Sequence, residues 1–449
     1  MTRQQVDTER LYDIAEQVLG FVPGGAEAQV LVRTGEEALT RFAGSFIHQN
    51  VAETSASVSL KVTLDGASAA ASIDQVDADA LRGLAERVTE AARVRPADPE
   101  WPGLSPSAPV THEGSYDPAT AQATPDERAA LVRAFVDAGE GLEAAGFCSS
   151  SGVLGVYANS AGQRAAGRTT AATLDGVART GRSDGSGRAT SVRIADLDGA
   201  VLGRMAAEKA RGGIDATDLE PGRYEVVLEP SCVADILLFL DAYGFNGRYH
   251  NEQTSFAKLG EQQFDPSVQI WDDGTDTRLP GLPFDAEGTP KRRVDLVSDG
   301  VTTAVVHDRR TARVAGTEST GHAVEGGESF GAVATSLILG GGSPTPDEMI
   351  ASVERGLLVT DFWYSRILDP LTQVVTGLTR NGVFLVEDGK VTRPVTNLRY
   401  TQSYVEALAP GNVLAIGDDV RPVETQFGFV VAVPTLHLAS WNFTGGAKG

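Results

Sequence analysis

The spacing of apolar residues divides the chain into distinct pieces. Leu11, Ile14, Ala15 and Val18 fall on one face of a helix from Arg10 to Leu19. Ala28–Arg33 reads as a strand, and Val58, Leu60, Val62 and Leu64 alternate cleanly within a second strand, Glu53–Leu64. Asp65-Gly66 turns that strand back into a third, Ala67–Ile73. Leu81, Leu84, Ala85 and Val88 then mark a helix from Asp77 to Val94. Arg95 to Pro118 is rich in Pro, Ser and Gly and reads as a linker or extended arm, because proline lacks a donor and restricts its predecessor.

Thr124 and Glu127 stand at capping-box spacing around Pro125, which predicts a helix start and a helix reaching about Ala145. Phe147 to Arg193 reads as short strands, with a turn at Tyr157–Gly162 and a flexible loop at Gly181–Gly187. A helix from about Asp198 to Ala210 closes this segment at Gly212-Gly213. Tyr224–Leu228 reads as a strand, and Val233, Ile236, Leu237 and Leu240 share one face of a helix over Ser231–Tyr243. In Gly281–Asp308 a polar loop, Phe284–Pro290, leads into a hairpin. Val294 and Leu296 are matched there with Val301, Thr303 and Val305 about an Asp299-Gly300 type I′ turn. Leu337–Leu339 and Gly340–Gly342 precede a second capping box, Thr345 with Glu348 around Pro346. Val383–Val386 and Val391–Pro394 pair about Asp388-Gly389, Phe427–Leu438 is a final apolar strand, and Ala439–Gly449 is a tail.

These elements predict an α+β protein. An N-terminal α/β segment precedes a large C-terminal, curved, mostly antiparallel β domain with a few helices. The expected divisions are 1–118, 119–213 and 214–449, and a chain of 449 residues is long enough for them. The formal net charge of −22 argues against a nucleic-acid or anionic-membrane partner. No apolar run reaches the roughly 18 residues of a spanning helix, and the start of the chain lacks a basic region followed by an apolar core, so a cytoplasmic protein is expected. Cys148 and Cys232, the only cysteines, read as buried small hydrophobes.

Several motifs invite chemistry. Gly181–Gly185 matches G-x-S-x-G, but its flanks are polar and glycine-rich, not a buried strand entering a helix. Gly162–Thr169 nearly spells a phosphate loop, with Arg168 in place of the lysine, and reads as a hairpin arm. Gly340–Gly342 before a capped helix could cradle an anion, and a need for backbone freedom explains it as well. His112-Glu113 begins like a zinc-protease motif but has no second histidine and runs into Pro118. His250 with Glu252 and His322 with Glu325 read as surface pairs or, less simply, as metal ligands.

The stretches Tyr157–Gly162, Pro283–Asp308, Ser319–Ala323, Gly356–Thr360 and Asp388–Val395 are each short, and their shared order is specific. In that order they resemble the TldD/PmbA (TldE) family of metallopeptidase proteins, and within it the TldE (PmbA) side. The resemblance implies cleavage of small or unfolded polypeptides, including leader peptides of ribosomally made natural products. Zinc-bearing relatives carry His-Glu-x-x-x-His on a helix after a strand and a cysteine ligand near the C-terminus. Here Phe239 and Leu240 stand about where the His-Glu pair would be, the next histidine is His250, and Val420–Leu438 has no cysteine. The implication is a subunit with no catalytic residue, no metal ligand and no cofactor of its own, with zinc held by a TldD-like partner and the peptide enclosed between them. Asp285, Glu287 and Gly288 are then expected to shape the loop nearest the partner's site, Arg293 to pair with a carboxylate, and His322 to contact peptide. Maintenance of the fold is the competing role for all five. Two other readings remain: a self-sufficient metallohydrolase using His250, Glu252 and His322, or a homodimer that binds peptides without turnover.

Overall fold

A computed structural model of the chain describes residues 8–446. Strands β1 (Glu27–Ala43), β2 (Phe46–Leu64), β3 (Ala67–Ile73), β4 (Glu143–Asn159), β5 (Arg164–Arg179) and β6 (Asp184–Ser191) form one antiparallel sheet in the order β3-β2-β1-β4-β5-β6. The central pairing is β1 with β4, with Val32 opposite Val156. The expected division at residue 118 therefore falls between strands of a single sheet. Helices α1 (Thr8–Phe21) and α2 (Ala78–Arg93) bury Leu11, Val18, Leu81 and Val88 against Val30, Val58 and Leu60. Helices α3 (Pro118–Ala121), α4 (Pro125–Ala138) and α5 (Gly199–Gly212) form a second core, with Phe135 and Leu202 over Phe42 and Leu174.

Two expectations fail here for physical reasons. Helix α4 stops at Ala138 rather than near Ala145, because Glu140 and Gly141 take positive φ (49° and 84°) and turn the chain into β4. The stretch expected to hold short strands and a flexible Gly181–Gly187 loop is instead a long, regular ribbon, β4 to β6. Its small residues let helices lie close to the sheet. A Cβ on Gly187 would stand 2.1 Å from the Leu202 carbonyl oxygen of α5.

The second half runs through β7 (Gly222–Leu228), α6 (Pro230–Tyr243), α7 (Gly247–Asn251), β8 (Ile270–Asp272), β9 (Val294–Ser298), β10 (Val301–Thr302), α8 (Arg309–Ala315) and β11 (Leu337–Leu339). Then come α9 (Pro346–Ser352), β12 (Arg355–Val359), β13 (Phe362–Asp369), β14 (Val374–Thr379), β15 (Val383–Glu387) and β16 (Lys390–Pro394). The last elements are β17 (Leu398–Ser403), α10 (Tyr404–Ala407), β18 (Val413–Ile416), β19 (Arg421–Glu424), β20 (Val430–Val433) and β21 (Leu436–Gly446). They build two sheets, β10-β9-β8-β11-β20-β19 and β13-β14-β17-β21-β7-β12-β15-β16, with β18 joined to β21. Both are mostly antiparallel; β7 with β12 and β11 with β20 are parallel. Helix α6 is buried between them, Val233, Ile236, Leu237 and Leu240 packing with Leu228, Leu357, Leu436 and Trp441. The α+β class expected from the apolar pattern is the class observed.

Asp299 and Gly300 have φ of 50° and 77°, as a type I′ turn requires, yet β10 is only two residues long and Thr302, not Thr303, is buried. The final apolar stretch also divides differently. Phe427 and Gly428 lie in a turn, β20 ends at Val433, and β21 carries the chain from Leu436 to Gly446 with Trp441 and Phe443 buried. What reads as a tail from Ala439 is thus mostly a central strand; residues 447–449, like 1–7, lie outside the described residues. No described helix is long and apolar enough to cross a membrane.

Candidate functional site

Helix α6 starts at Pro230, in the N1 position that tolerates a missing donor, and is buried along most of its length. Phe239 is 4% exposed; its ring stacks on Tyr243 and meets Tyr404 edge-on, with centroids 6.1 Å away in each case. Leu240 is wholly buried. One turn earlier, Asp235 accepts hydrogen bonds from the Tyr404 hydroxyl (2.8 Å) and Gln426 Nε2 (3.1 Å). The Tyr404 hydroxyl lies 2.9 Å from that of Tyr400, which in turn lies 2.8 Å from Ser365 Oγ. Burial pushes the Asp235 carboxyl up to about 6.

These residues do not fit a zinc centre. Phe239 and Leu240 offer neither a ligand atom nor a base, and the tyrosine hydroxyls nearby are held well above their usual range by burial. Cys232, also on α6, is buried with its thiol pushed up and its Sγ donating to the Val359 carbonyl (3.5 Å). Among the described residues, no three His, Cys, Asp or Glu side chains converge as a metal-binding group.

The Phe284–Pro290 loop is built around one carboxylate. Asp285 Oδ1 accepts from the amides of Glu287 and Thr289 (2.9 Å each), and Oδ2 accepts from Ala323 N (2.9 Å). Gly288 has φ of 72° and lies against Tyr157 of β4, where a Cβ would come within 2.2 Å of the ring. Gln163 Nε2 donates to the Gly288 carbonyl (2.7 Å), and Ser105 Oγ to the Glu287 carbonyl (2.6 Å). The loop thus fastens the second half of the chain to the first sheet and to the Pro-rich arm.

Glu287 points along a cleft of about 910 Å³ that also takes in Lys61, Trp101, Asp308 and the segment from Ala323 to Glu328. Its Oε2 accepts from Arg309 N at the start of α8 (3.0 Å). Burial, with the carboxylates of Asp285 and Asp308 beside it, raises Glu287 to about 8. His322 lies beneath this surface. Its Nε2 is 2.8 Å from Asp272 Oδ2 and its Nδ1 2.9 Å from Thr320 Oγ1, and both the histidine and aspartate side chains have 0% exposure. Arg293 stays at the surface, pairing with Asp295 (2.8 Å) and lying over the Trp271 ring (4.4 Å). Of the five residues singled out from the sequence, Asp285, Glu287, Gly288 and His322 gather around the loop, and Arg293 stands apart.

The remaining motifs resolve into structure. Ser183 sits in a turn and donates to the Ala210 carbonyl, while Asp184 and Gly185 belong to β6, so no strand-to-helix elbow exists there. Gly162 lies in the β4–β5 turn. Glu252 pairs with Arg248, and Glu325 reaches Arg33 and Ser59 of the first sheet rather than His322.

One feature escapes sequence reasoning. Between β5, β6, α5, the start of α6, β13 and β19 lies a cavity of about 200 Å³. Arg188 Nη2 bonds Asp361 Oδ2 (3.0 Å), Lys209 Nζ bonds Glu229 Oε2 (2.6 Å), and Thr173 donates to Glu424 (3.0 Å). Arg188 and Asp361 are 173 residues apart, and nothing local in the sequence joins them.

Residues 221–445, half of the chain, match the model of the PmbA/TldA metallopeptidase C-terminal domain. The chain belongs to the TldD/PmbA family. It is 26% identical over 227 residues to a Metalloprotease TldD homolog of Haemophilus influenzae, covering 49% of this chain and 46% of that one. To the Metalloprotease PmbA of Escherichia coli O157:H7 it is 28% identical over 163 residues, 36% of this chain and 33% of that one. The chain spans about half the length, or less, of these curated relatives. Its fold is similar to that of TldE from Thermococcus kodakarensis, with a TM-score of 0.86 and 18% identity over 97% of this chain and 99% of that one. It is also similar to a putative modulator of a DNA gyrase from Thermotoga maritima, with a TM-score of 0.81, 18% identity and the same coverage.

Proposed function

We propose that this TldD/PmbA-family chain is a TldE-like subunit without catalytic machinery of its own. It pairs with a zinc-bearing TldD-like chain, and the pair cleaves small or unfolded peptides. The observation that carries the reading is the packing of Phe239 and Leu240 on α6, with Tyr243 and Tyr404 filling the space beside them. A hydrophobic helix face cannot bind zinc, lower the pKa of its water or supply a base. The loop held by Asp285 and Gly288 then serves to shape the cleft, and His322 to brace it, as a buried partner of Asp272 rather than a peptide contact.

The test is to purify the chain alone, measure its metal content and peptidase activity, and repeat both after mixing with a TldD-like chain. Substoichiometric metal and no turnover alone, with co-elution and turnover on mixing, are expected. Stoichiometric metal and chelator-sensitive hydrolysis by the isolated chain would overturn the reading.

A further inference from the structure

The cavity between the two halves has a composition that selects its occupant. Five carboxylates line it: Asp175, Glu229, Asp235, Asp361 and Glu424. Three cations accompany them, Arg188, Lys209 and Arg421, so the lining carries more acid than base. Arg188 pairs with Asp361 through Nη2, its Nε lies 3.7 Å from Asp175 without a hydrogen bond, Lys209 is engaged by Glu229, and the exposed Arg421 offsets one further carboxylate. Asp235 is held by neutral groups, among them Tyr404 and Gln426, and Glu424 accepts from the neutral Thr173. At the same wall stands Thr425, 8% exposed, whose Oγ1 has no hydrogen-bond partner. A buried hydroxyl without a partner is costly, and beside a lining with more carboxylates than cations it offers a further acceptor to a group rich in N–H donors. Phe362 and the half-exposed Trp363, whose ring already carries the Arg380 guanidinium at 4.4 Å, supply an apolar flank suited to the methylenes of a long basic side chain.

We infer that this junction cavity binds the ammonium or guanidinium group of a lysine or arginine side chain in a bound peptide. The inference rests on peptide engagement as proposed above and adds to it a side-chain preference. Glu424 supplies the charge nearest the rim, Thr425 an acceptor, and Trp363 the apolar wall. The cavity's place at the meeting of the two halves is where small-ligand sites commonly form.

The test uses the full chain and end-blocked pentapeptides, four alanines around a central lysine, arginine, norleucine or glutamate, titrated by calorimetry or by NMR shift changes. The lysine or arginine peptide is expected to bind at least tenfold more tightly than the norleucine peptide, and the glutamate peptide more weakly still. Glu424→Gln and, independently, Thr425→Val are expected to narrow the basic-over-norleucine ratio, the first to within about threefold. Equal binding of norleucine and lysine, no detectable binding of any peptide, or a lysine preference intact in both variants would each overturn the inference. A lysine preference without an arginine preference, or the reverse, assigns the cavity to one of the two groups. A chain that pairs with a TldD-like subunit yet shows no basic preference loses this inference and keeps the functional one; a basic preference in a chain that does not pair does the opposite.

Discussion

Gly288 shows how one backbone angle can carry an interface. Its φ of 72° and its contact with the Tyr157 ring leave no room for a side chain. Gly288→Ala is expected to cost at least about 2 kcal/mol, combining left-handed backbone strain with a displaced aromatic ring, and urea unfolding of the full chain would measure it. Glu287 makes a pH prediction. Its carboxyl titrates higher in the folded chain, at about 8, than the ordinary 4.5, so the folded state holds a proton that the unfolded state releases between those values. Its contribution is therefore complete below about 4.5 and is lost as the pH rises to about 8. His307 runs the other way: burial lowers it to about 4, so its contribution is present above about 6.5 and lost as the pH falls to about 4. Subtracting the stability–pH curve of Glu287→Gln from that of the unmodified chain isolates the first effect; a flat difference between pH 5 and 8 would refute it. The roles of Asp285 and His322 were not legible in the sequence. A carboxylate that accepts three loop amides and a histidine that bridges to Asp272 look the same in sequence as residues that face a ligand.

Among the elements, those with punctuation of their own were the easiest to read. Both capping boxes form as the Thr-Pro-x-Glu spacing predicts, Thr124 with Glu127 and Thr345 with Glu348. Thr124→Ala is expected to cost about 1 kcal/mol, read as a lower thermal midpoint, because it leaves the Glu127 amide of α4 without its hydroxyl acceptor and removes the hydroxyl's bond to the Glu127 carboxylate. The Asp-Gly hairpins at 299–300 and 388–389 form for the same local reason, with both residues of each pair at positive φ. Strands β4 to β6 were harder, because glycine, alanine, serine and threonine give little contrast between faces. Those small side chains are there for the helices above them: Gly176 lies under the Phe135 ring, and Gly185 and Gly187 under the backbone of α5. On α6, Phe239→Ala is expected to destabilise by about 3–5 kcal/mol, since the ring fills space among Tyr243 and Tyr404. A much smaller loss would indicate an open site beside the helix.

Across the whole molecule, polar ties join the two halves alongside a small apolar cluster of Leu31, Tyr157, Ala165 and Phe284. Arg188 reaches Asp361, Lys209 reaches Glu229, and Gln163 reaches the Gly288 carbonyl. Asp361 is 5% exposed and also accepts from Asn381, so Asp361→Asn leaves Arg188 partly unpaired and is expected to cost about 2–3 kcal/mol by urea unfolding. By itself, the order of residues determined which segments become helices, where most hairpins turn, the α+β class, and the apolar character of α6 at Phe239 and Leu240. Each of these depends on neighbours within a few positions, through periodicity, capping and turn conformation. Only the tertiary structure decided that β1 pairs with β4 across the Pro-rich arm, that His322 is buried against Asp272, and that eight charged groups from both halves close around one cavity. Those outcomes depend on contacts between residues 50 to more than 200 positions apart. Chain connectivity leaves such pairs free, and their partners are chosen by the packing of the layers.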